Sequence, residues 1–423
     1  MDDVAEPQDV RAPQGYGPLI APMSESMRPL RQQIFERVRA AGAISRAQVA
    51  KDLGISPASV TTLTSELMES GLLQEVTVPR DPLDGSRGRP PVALGVRGGA
   101  FAVCGVKLSD REHTAVVLDF AGHELASVSA PARGIEAPDA MIETLAGLVD
   151  EVAKRAGMDR SGLCAVGIGV PGFVDHATGH VHWSPVLSIR DLPFAATAEA
   201  RLGLPVTLDN DANLVALAEL WFGRGRQMSD FAVVTIEHGV GMGLVLNHRL
   251  YRGAQGLGME LGHIKVQLDG ALCRCGQRGC LEAYVADYAL AREAAVALGR
   301  LGQPVLPVSQ LLETLHARAK GGDTAARTIF HRAGRYLAVG LANVVNLFDP
   351  ALIILSGERM RYDYLYAEDT LSEMRRLVLD TRRPAPRIEV HAWGDLLWGY
   401  GAAALALSAV TERQIGTSRE EMA

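Results

Sequence analysis

The chain has 423 residues, of which 48% are apolar and 5% aromatic. At roughly 100 to 200 residues per domain it exceeds one ordinary domain, and Ala, Val and Leu must fill most of its core. The formal net charge of -7 excludes a globally basic nucleic-acid coat and leaves a local basic patch open. No apolar run reaches the roughly 18 to 20 residues of a bilayer span. The acidic start MDDVAEPQDV lacks the basic and apolar regions of a signal peptide, so a cytoplasmic chain with no membrane segment is expected.

Residues 1–26 are rich in Pro, Gly, Ser, Asp and Glu without periodicity, which predicts a disordered arm. In PLRQQIFERVRAAG, Leu30, Ile34 and Val38 recur at helical spacing, and Gly42 ends that helix. Ser45 and Gln48 form a capping box that opens a short helix stopped by Gly54. Ser56 as N-cap and Pro57 at the first helical position open a third, with Val60, Leu63 and Leu67 on one stripe. This spacing predicts a helix-turn-helix. Its outer face carries Ala58, Ser59, Thr61, Thr62 and Ser65, small and mostly hydroxylated, which with Ser56 suit a major groove. LLQEVTVPRDPLDGSRGRPPVAL then reads as two strands around a loop, the wing of a winged helix. That loop carries Arg80, Arg87 and Arg89, and SRGRPP is similar to stretches that lie in narrow minor grooves. Residues 25–97 hold ten Lys/Arg against eight Asp/Glu, a positive segment in an acidic chain. We therefore expect a winged helix-turn-helix DNA-binding domain over 27–97, with a winged helix used for protein contacts as the alternative.

From about residue 99, Val/Ala/Ile-rich strands alternate with Ala-rich helices. AFAVCGVKLSD, EHTAVVLDFAG and HELASVSAPA read as three consecutive strands, and the segment from Pro138 to Ala156 as a helix. LCAVGIGVPGFVD is a strand, ANLVALAELWFG a helix, FAVVTIEHGVGMGLVLNHRLYRG two strands around a Gly-rich loop, and PALIILSGERM a buried strand. Such alternation predicts an α/β domain of two related lobes over 98–410, with the lobe boundary near 209 and a flexible tail over 411–423.

Five cysteines, few and odd in number, fit a reducing compartment. Cys104 and Cys164 lie in strand-like apolar runs and are expected to be buried small hydrophobes. The other three stand in HIKVQLDGALCRCGQRGCLE. His263, Cys273, Cys275 and Cys280 offer one nitrogen and three sulfurs, the donor set of structural Zn²⁺, and Gly276 and Gly279 permit tight turns around one ion. A disulfide would leave a third thiol over, and no base is indicated for a catalytic thiol.

GIGVPGFVD, LDNDANLVALAE, GMELGH and CRCGQRGCLE in this order resemble the ROK family of sugar kinases and sugar-responsive repressors, over residues 28 to about 408. The winged helix and RGRPP match its repressor branch. The resemblance implies an actin-like, sugar kinase two-lobed fold with a cleft for sugar. It assigns sugar contacts to Asn210, Asp211, Glu260, His263 and Glu282, with Asp211 matching the kinases' catalytic base, and it gives zinc the same four ligands. An Asp before ANLVALAE is also a good helix N-cap, and that alternative stands beside the sugar role. Where the family has Pro-Asn-Leu and a Trp, SPVLSIRDLPF puts Val186 and Ile189.

The resemblance also marks losses. In place of the family's Asp-x-Gly-Gly-Thr phosphate loop stands KLSDREH, with Lys107 at the Asp position and Ser109, Asp110 and Arg111 for Gly-Gly-Thr. The second loop reads EHGVGMG, where Glu237 would repel a nucleotide and Met242 obstruct it, and SGE from Ser356 to Glu358 departs from the usual glycines. The expectation is a sugar-responsive repressor without enzyme activity, acting as a homodimer or homotetramer on operator DNA. The alternatives are an active sugar kinase with an accessory DNA-binding head and a regulator controlled by a protein partner. The sugar, the operator and the sign of regulation are not legible.

Overall fold

The computed structural model describes residues 15–19, 28–77, 92–254, 256–299, 306–357, 360, 362–363, 368–379, 384–391, 394 and 396–416. The wing arginines Arg80, Arg87 and Arg89, as well as Glu358, fall outside these. The chain forms two compact units, Met1–Ser229 with Leu396–Ala423, and Asp230–Asp395. The division therefore lies beyond the boundary expected near residue 209.

The first unit begins with α1 (Leu30–Ala41), α2 (Arg46–Leu53) and α3 (Pro57–Glu69), followed by the antiparallel strands β1 (Leu73–Thr77) and β2 (Val92–Val96). The N-caps Ser45 and Ser56 are those the sequence announces, but only half of the capping box forms, because Gln48 Nε2 donates to Asp52 Oδ1. Ser45 accepts from the Gln48 amide, Gly54 closes α2 in the left-handed region, and Ser56 accepts from the Ser59 amide ahead of Pro57. Each such cap satisfies an amide that the helix cannot, worth about 1 kcal/mol. Val60 and Leu67 are buried as expected, but Thr64 shares their inner face while Leu63 is half-buried. Arg46 explains the inward Thr64: its Nε donates to Thr64 Oγ1 at 3.2 Å. A bridge between Ile44 and Leu94 ties the wing back to the helices, completing a winged helix-turn-helix.

β3 (Ala102–Lys107), β4 (Glu112–Asp119) and β5 (Glu124–Pro131) follow, then α4 (Pro138–Arg155), β6 (Ala165–Val170), the hairpin β7 (Phe173–Asp175) and β8 (His180–Trp183), α5 (Phe194–Leu202), β9 (Val206–Asn210) and α6 (Asp211–Phe222). The sheet runs β5-β4-β3-β6-β9, antiparallel on the β4–β5 side and parallel from β3 to β9. Cys104 is buried in it, whereas Cys164, just before β6, is only half-buried.

The second unit has β10 (Phe231–Ile236), β11 (Val240–Leu246), β12 (Arg249–Tyr251), α7 (Glu282–Val285), α8 (Asp287–Ala297), α9 (Val308–Lys320), α10 (Thr324–Phe348), β13 (Leu352–Ser356), α11 (Glu368–Leu377) and β14 (Arg387–His391). Its sheet runs β12-β11-β10-β13-β14, the same topology as the first. The chain then re-enters the first unit as α12 (Leu397–Ile415).

Two expectations about the termini fail. Residues 411–415 are the last turns of α12, with Thr411 and Ile415 buried, because α1 packs against this helix. Within the arm, Tyr16 is buried rather than disordered. Its hydroxyl donates to the Phe120 carbonyl, its ring lies 6.0 Å from Trp221 and 6.2 Å from Phe222, and Gly17 N donates to Trp221 O at 2.7 Å. Arg226 donates from Nε to Gly17 O and from Nη2 to Ala40 O, joining this strap to α1. Phe35 of α1 stacks on Phe120 with centroids 5.3 Å apart, so the helical head and the first sheet share one aromatic cluster. Residues 1–14, 20–26 and 417–423 are outside the described residues.

Candidate functional site

The Cys-rich segment of the second unit folds as a short, irregular hairpin. Lys265 bridges Cys280, Leu272 bridges Arg278, and Cys273 N donates to Gln277 O at 2.8 Å. Gly276 and Gly279 take φ of 87° and 77°, and a Cβ on Gly279 would overlap the Gln267 carbonyl, so glycine is required there. These turns bring His263, Cys273, Cys275 and Cys280 together, with all four donor atoms within 4.8 Å of one another. Cys275 Sγ lies 3.7 Å from Cys280 Sγ, and Cys273 Sγ lies 3.7 Å from His263 Nδ1. Donors about 2.0 to 2.3 Å from a single tetrahedral ion are about 3.6 to 3.8 Å apart, so the set fits zinc. A disulfide would need sulfurs about 2 Å apart.

Side chains that sequence reasoning missed surround the four. Lys265 Nζ approaches Cys280 Sγ at 3.0 Å and the His263 carbonyl at 3.1 Å, placing an ammonium beside the cysteine cluster. Tyr288 OH lies 3.5 Å from Cys273 Sγ and 3.4 Å from Glu282 Oε1. Lys265, two residues after a ligand, was legible in principle; Tyr288 was not, because α8 had to fold first.

Two expected sugar contacts flank this cluster. Glu282, the first residue of α7, is buried; Oε1 lies 3.5 Å from Cys273 Sγ, and Oε2 accepts from Val240 N at 3.4 Å. Gly239 leaves room for that carboxylate. Glu260 opens a 3-10 turn, Leu261–His263, and its carbonyl accepts from His263 N at 3.0 Å. Met259 before it takes φ of 68°, a costly conformation for a non-glycine residue. His263 and Glu282 thus both approach Cys273 within the second unit, with the Glu260 backbone bonded to His263. Met242 corrects an expectation: it lies in β11 and packs in the core, so it does not obstruct the loop.

Asn210 and Asp211 lie in the first unit, where β9 passes directly into α6. The N-cap role weighed for Asp211 belongs to Asn210, whose Oδ1 accepts from Asn213 N at 3.1 Å while Nδ2 donates to Gly172 O at 3.1 Å. Asp211 is half-buried, with Oδ1 accepting from Ala212 N at 2.9 Å. Burial pushes its carboxyl above the ordinary range, and the Lys107 ammonium opposes that rise. Neighbouring Asp209 is buried and accepts from Asn213 Nδ2 at 2.8 Å. Val186 is in the core, while Ile189 is 55% exposed, too open to serve as a packed replacement for an aromatic residue.

On the head, α3 exposes Ser56, Thr61, Thr62 and Ser65, and Ser59 is half-buried. Ser56 is occupied by its cap, and Thr61 Oγ1 donates to Pro57 O at 2.8 Å. Among the described residues, Thr62 and Ser65 have no hydrogen-bond partner. No helix of the described residues is long and apolar enough to cross a membrane.

The ROK family model matches residues 103–409. The chain is 29% identical over 378 residues to a putative xylose repressor of Caldicellulosiruptor sp., covering 86% of this chain and 92% of that protein. It is 31% identical to a glucokinase of Streptomyces coelicolor, covering 71% of this chain and 96% of the kinase. The crystal structure of a ROK family transcriptional regulator, a homologue of the Escherichia coli MLC protein, superposes with a TM-score of 0.75 at 27% identity. It covers 91% of this chain and 98% of its own. The kinase leaves more of the chain unmatched than the repressor does, and the regulator's match is too long to omit the whole head. With the duplicated sheet topology and the conserved domain match together, the chain belongs to the ROK family.

Proposed function

We propose that the protein is a sugar-responsive, DNA-binding transcriptional repressor with a zinc-braced ligand site and no phosphotransfer. The observation that carries this reading is a winged helix-turn-helix folded onto the first sheet of a ROK domain through the Phe35–Phe120 stack. Repressor-named relatives support it. In this reading Thr62 and Ser65 donate to DNA from the open face of α3, with Ser56, Ser59 and Thr61 beside them and Arg87 and Arg89 in the wing. The candidate contacts for a sugar or sugar derivative are Asn210 and Asp211 in the first unit and Glu260, His263 and Glu282 in the second. Carboxylates suit vicinal hydroxyls because charge-assisted hydrogen bonds are the stronger ones.

His263, Cys273, Cys275 and Cys280 would hold zinc. With four protein donors the ion has no open position, so its contribution is to brace Glu282 and the Glu260 turn. Nδ1 of His263 faces the cluster, which leaves Nε2 to the ligand. Lys107 and Glu237 replace groups that a kinase uses for nucleotide phosphates, the basis for inferring lost phosphotransfer. The sugar works as a switch only through unequal affinity for two arrangements of the protein. A homodimer or homotetramer would supply the paired heads that adjacent half-sites need.

The test is selection of bound DNA from a random pool with full-length protein, then titration of the selected duplex against a panel of hexoses, pentoses and amino sugars. A sugar that raises the melting temperature and weakens DNA binding together supports the reading. Selected DNA whose binding ignores every thermally stabilising sugar refutes the sensor. The retained Asp211 and the glucokinase match favour a kinase as second reading. Sugar-dependent ATP consumption by purified protein would establish it.

A further inference from the structure

Lys107 is the last residue of β3, in register with Gly169 of β6, which is in register with Asp209 of β9. This row ends two residues before Asp211, so Lys107 and Asp211 lie at the same end of the parallel strands. The ammonium lies 3.6 Å from the centroid of Trp398, in the first turn of α12. Among the described residues Lys107 forms no direct ion pair. Its charge is thus held over an aromatic face and left to act through a partly desolvated space, where charge–charge interactions are stronger than in water.

Resting on the reading that Asp211 contacts sugar, we propose that Lys107 is a fixed counter-cation of the ligand site: a positioning residue that keeps Asp211 charged and accepting toward ligand hydroxyls. The positive charge is carried by the chain itself.

Among the described residues, the neighbouring polar groups have other partners. The first turn of α12 offers Leu397, Trp398, Gly399 and Tyr400, and the Tyr400 hydroxyl is bonded to Glu124. On β9, Asp209 is bonded to Asn213 and Asn210. His176, in the turn after β7, donates from Nδ1 to Leu208 O at 2.8 Å and is 4.0 Å from Asp209. The burial of Asp211 and the opposing Lys107 charge are the directions the proposal requires.

The test uses full-length wild type, Lys107→Met, Lys107→Arg, Asp211→Asn and the Lys107→Met/Asp211→Asn double variant. Melting temperatures are first measured without sugar from about pH 5 to pH 8. A carboxyl whose folded pKa is raised takes up a proton on folding, so stability falls as pH rises through the interval up to the folded value and is level above it. Removing Lys107 moves that upper limit higher. Lys107→Met should therefore lose more melting temperature toward pH 8 than wild type, Lys107→Arg should match wild type, and the excess loss should vanish in the double variant. Calorimetry with D-glucose, D-xylose and N-acetyl-D-glucosamine then reads the ligand. For a sugar that binds, Lys107→Met should lose more affinity between pH 8 and pH 5 than wild type does, by up to about tenfold per unit of displaced pKa. Equal pH profiles for wild type and Lys107→Met, or an excess loss that survives Asp211→Asn, overturn the proposal. Intact coupling with no sugar bound by any variant counts instead against the sugar role of Asp211, so the two failures are distinguishable.

Discussion

The two five-stranded sheets share one topology and are packed in different ways. At the fourth position of β3, Gly105 pairs with Gly167 of β6; at the fourth position of β10, Val234 pairs with Leu355 of β13. In the first sheet, Cβ atoms at these places would overlap the backbone of α12, at Gly399 for Gly105 and at Ala402 for Gly167. In the second, Val234 and Leu355 fill a core of ordinary side chains. One sheet holds its helix by backbone approach, the other by interlocking side chains. A motif that repeats in topology need not repeat in tolerance: the first sheet has no room for added atoms, and the second has atoms to lose.

The sharpest way to break this comparison is Gly167→Val. It should abolish accumulation of soluble folded protein, because the Ala402 backbone has nowhere to retreat, whereas Leu355→Ala should fold with a loss of about 2 to 5 kcal/mol in denaturant titration. A stable Gly167→Val protein would end the argument. Next in size, Tyr16→Ala should cost about 3 kcal/mol by removing a buried ring, and limited proteolysis should then cut near α1 before the second unit is touched. Third, Cys280→Ser should eliminate stoichiometric zinc in metal analysis and weaken sugar binding about 10- to 100-fold by calorimetry, with DNA affinity in the absence of sugar unchanged. Smallest, Ser56→Ala should cost about 1 kcal/mol through its cap, lowering DNA affinity a few-fold while sugar affinity stays as it was. Loss of sugar affinity in that last variant would mean that the effects of the two units are not separable.

Local features were readable before folding. The Ser45–Gln48 and Ser56–Ser59 caps, the glycine stops and the four metal donors all rest on residues close in sequence, where spacing and geometry are nearly the same statement. The strand alternation likewise announced the α/β architecture. What escaped depended on distant partners. The arm that contains Tyr16 carries no local sign of order, because Phe120 and Trp221 lie more than a hundred residues away. The last turns of α12 looked frayed because α1, which covers them, comes near the other end of the chain. The cap of α6 belongs to Asn210 although neighbouring Asp211 offers the same cap chemistry, and only the backbone decides between them.

The Tyr16 strap changes what counts as the beginning of the head. A shortened chain starting at Leu30 would keep every helix of the helix-turn-helix and the whole ROK match, yet Arg39 and Arg226 would lose the segment between them. Arg39 is buried with its guanidinium 4.3 Å from the Trp221 ring, and Arg226 is held down to about 10 by burial and the nearby Arg39. Without Gly17 O, the Nε of Arg226 loses an acceptor beside a second positive charge. Such a truncation, innocuous on a domain diagram, would leave two like charges facing a vacated groove. The three helices of the head would keep their sequence, but on a mount stripped of its gasket.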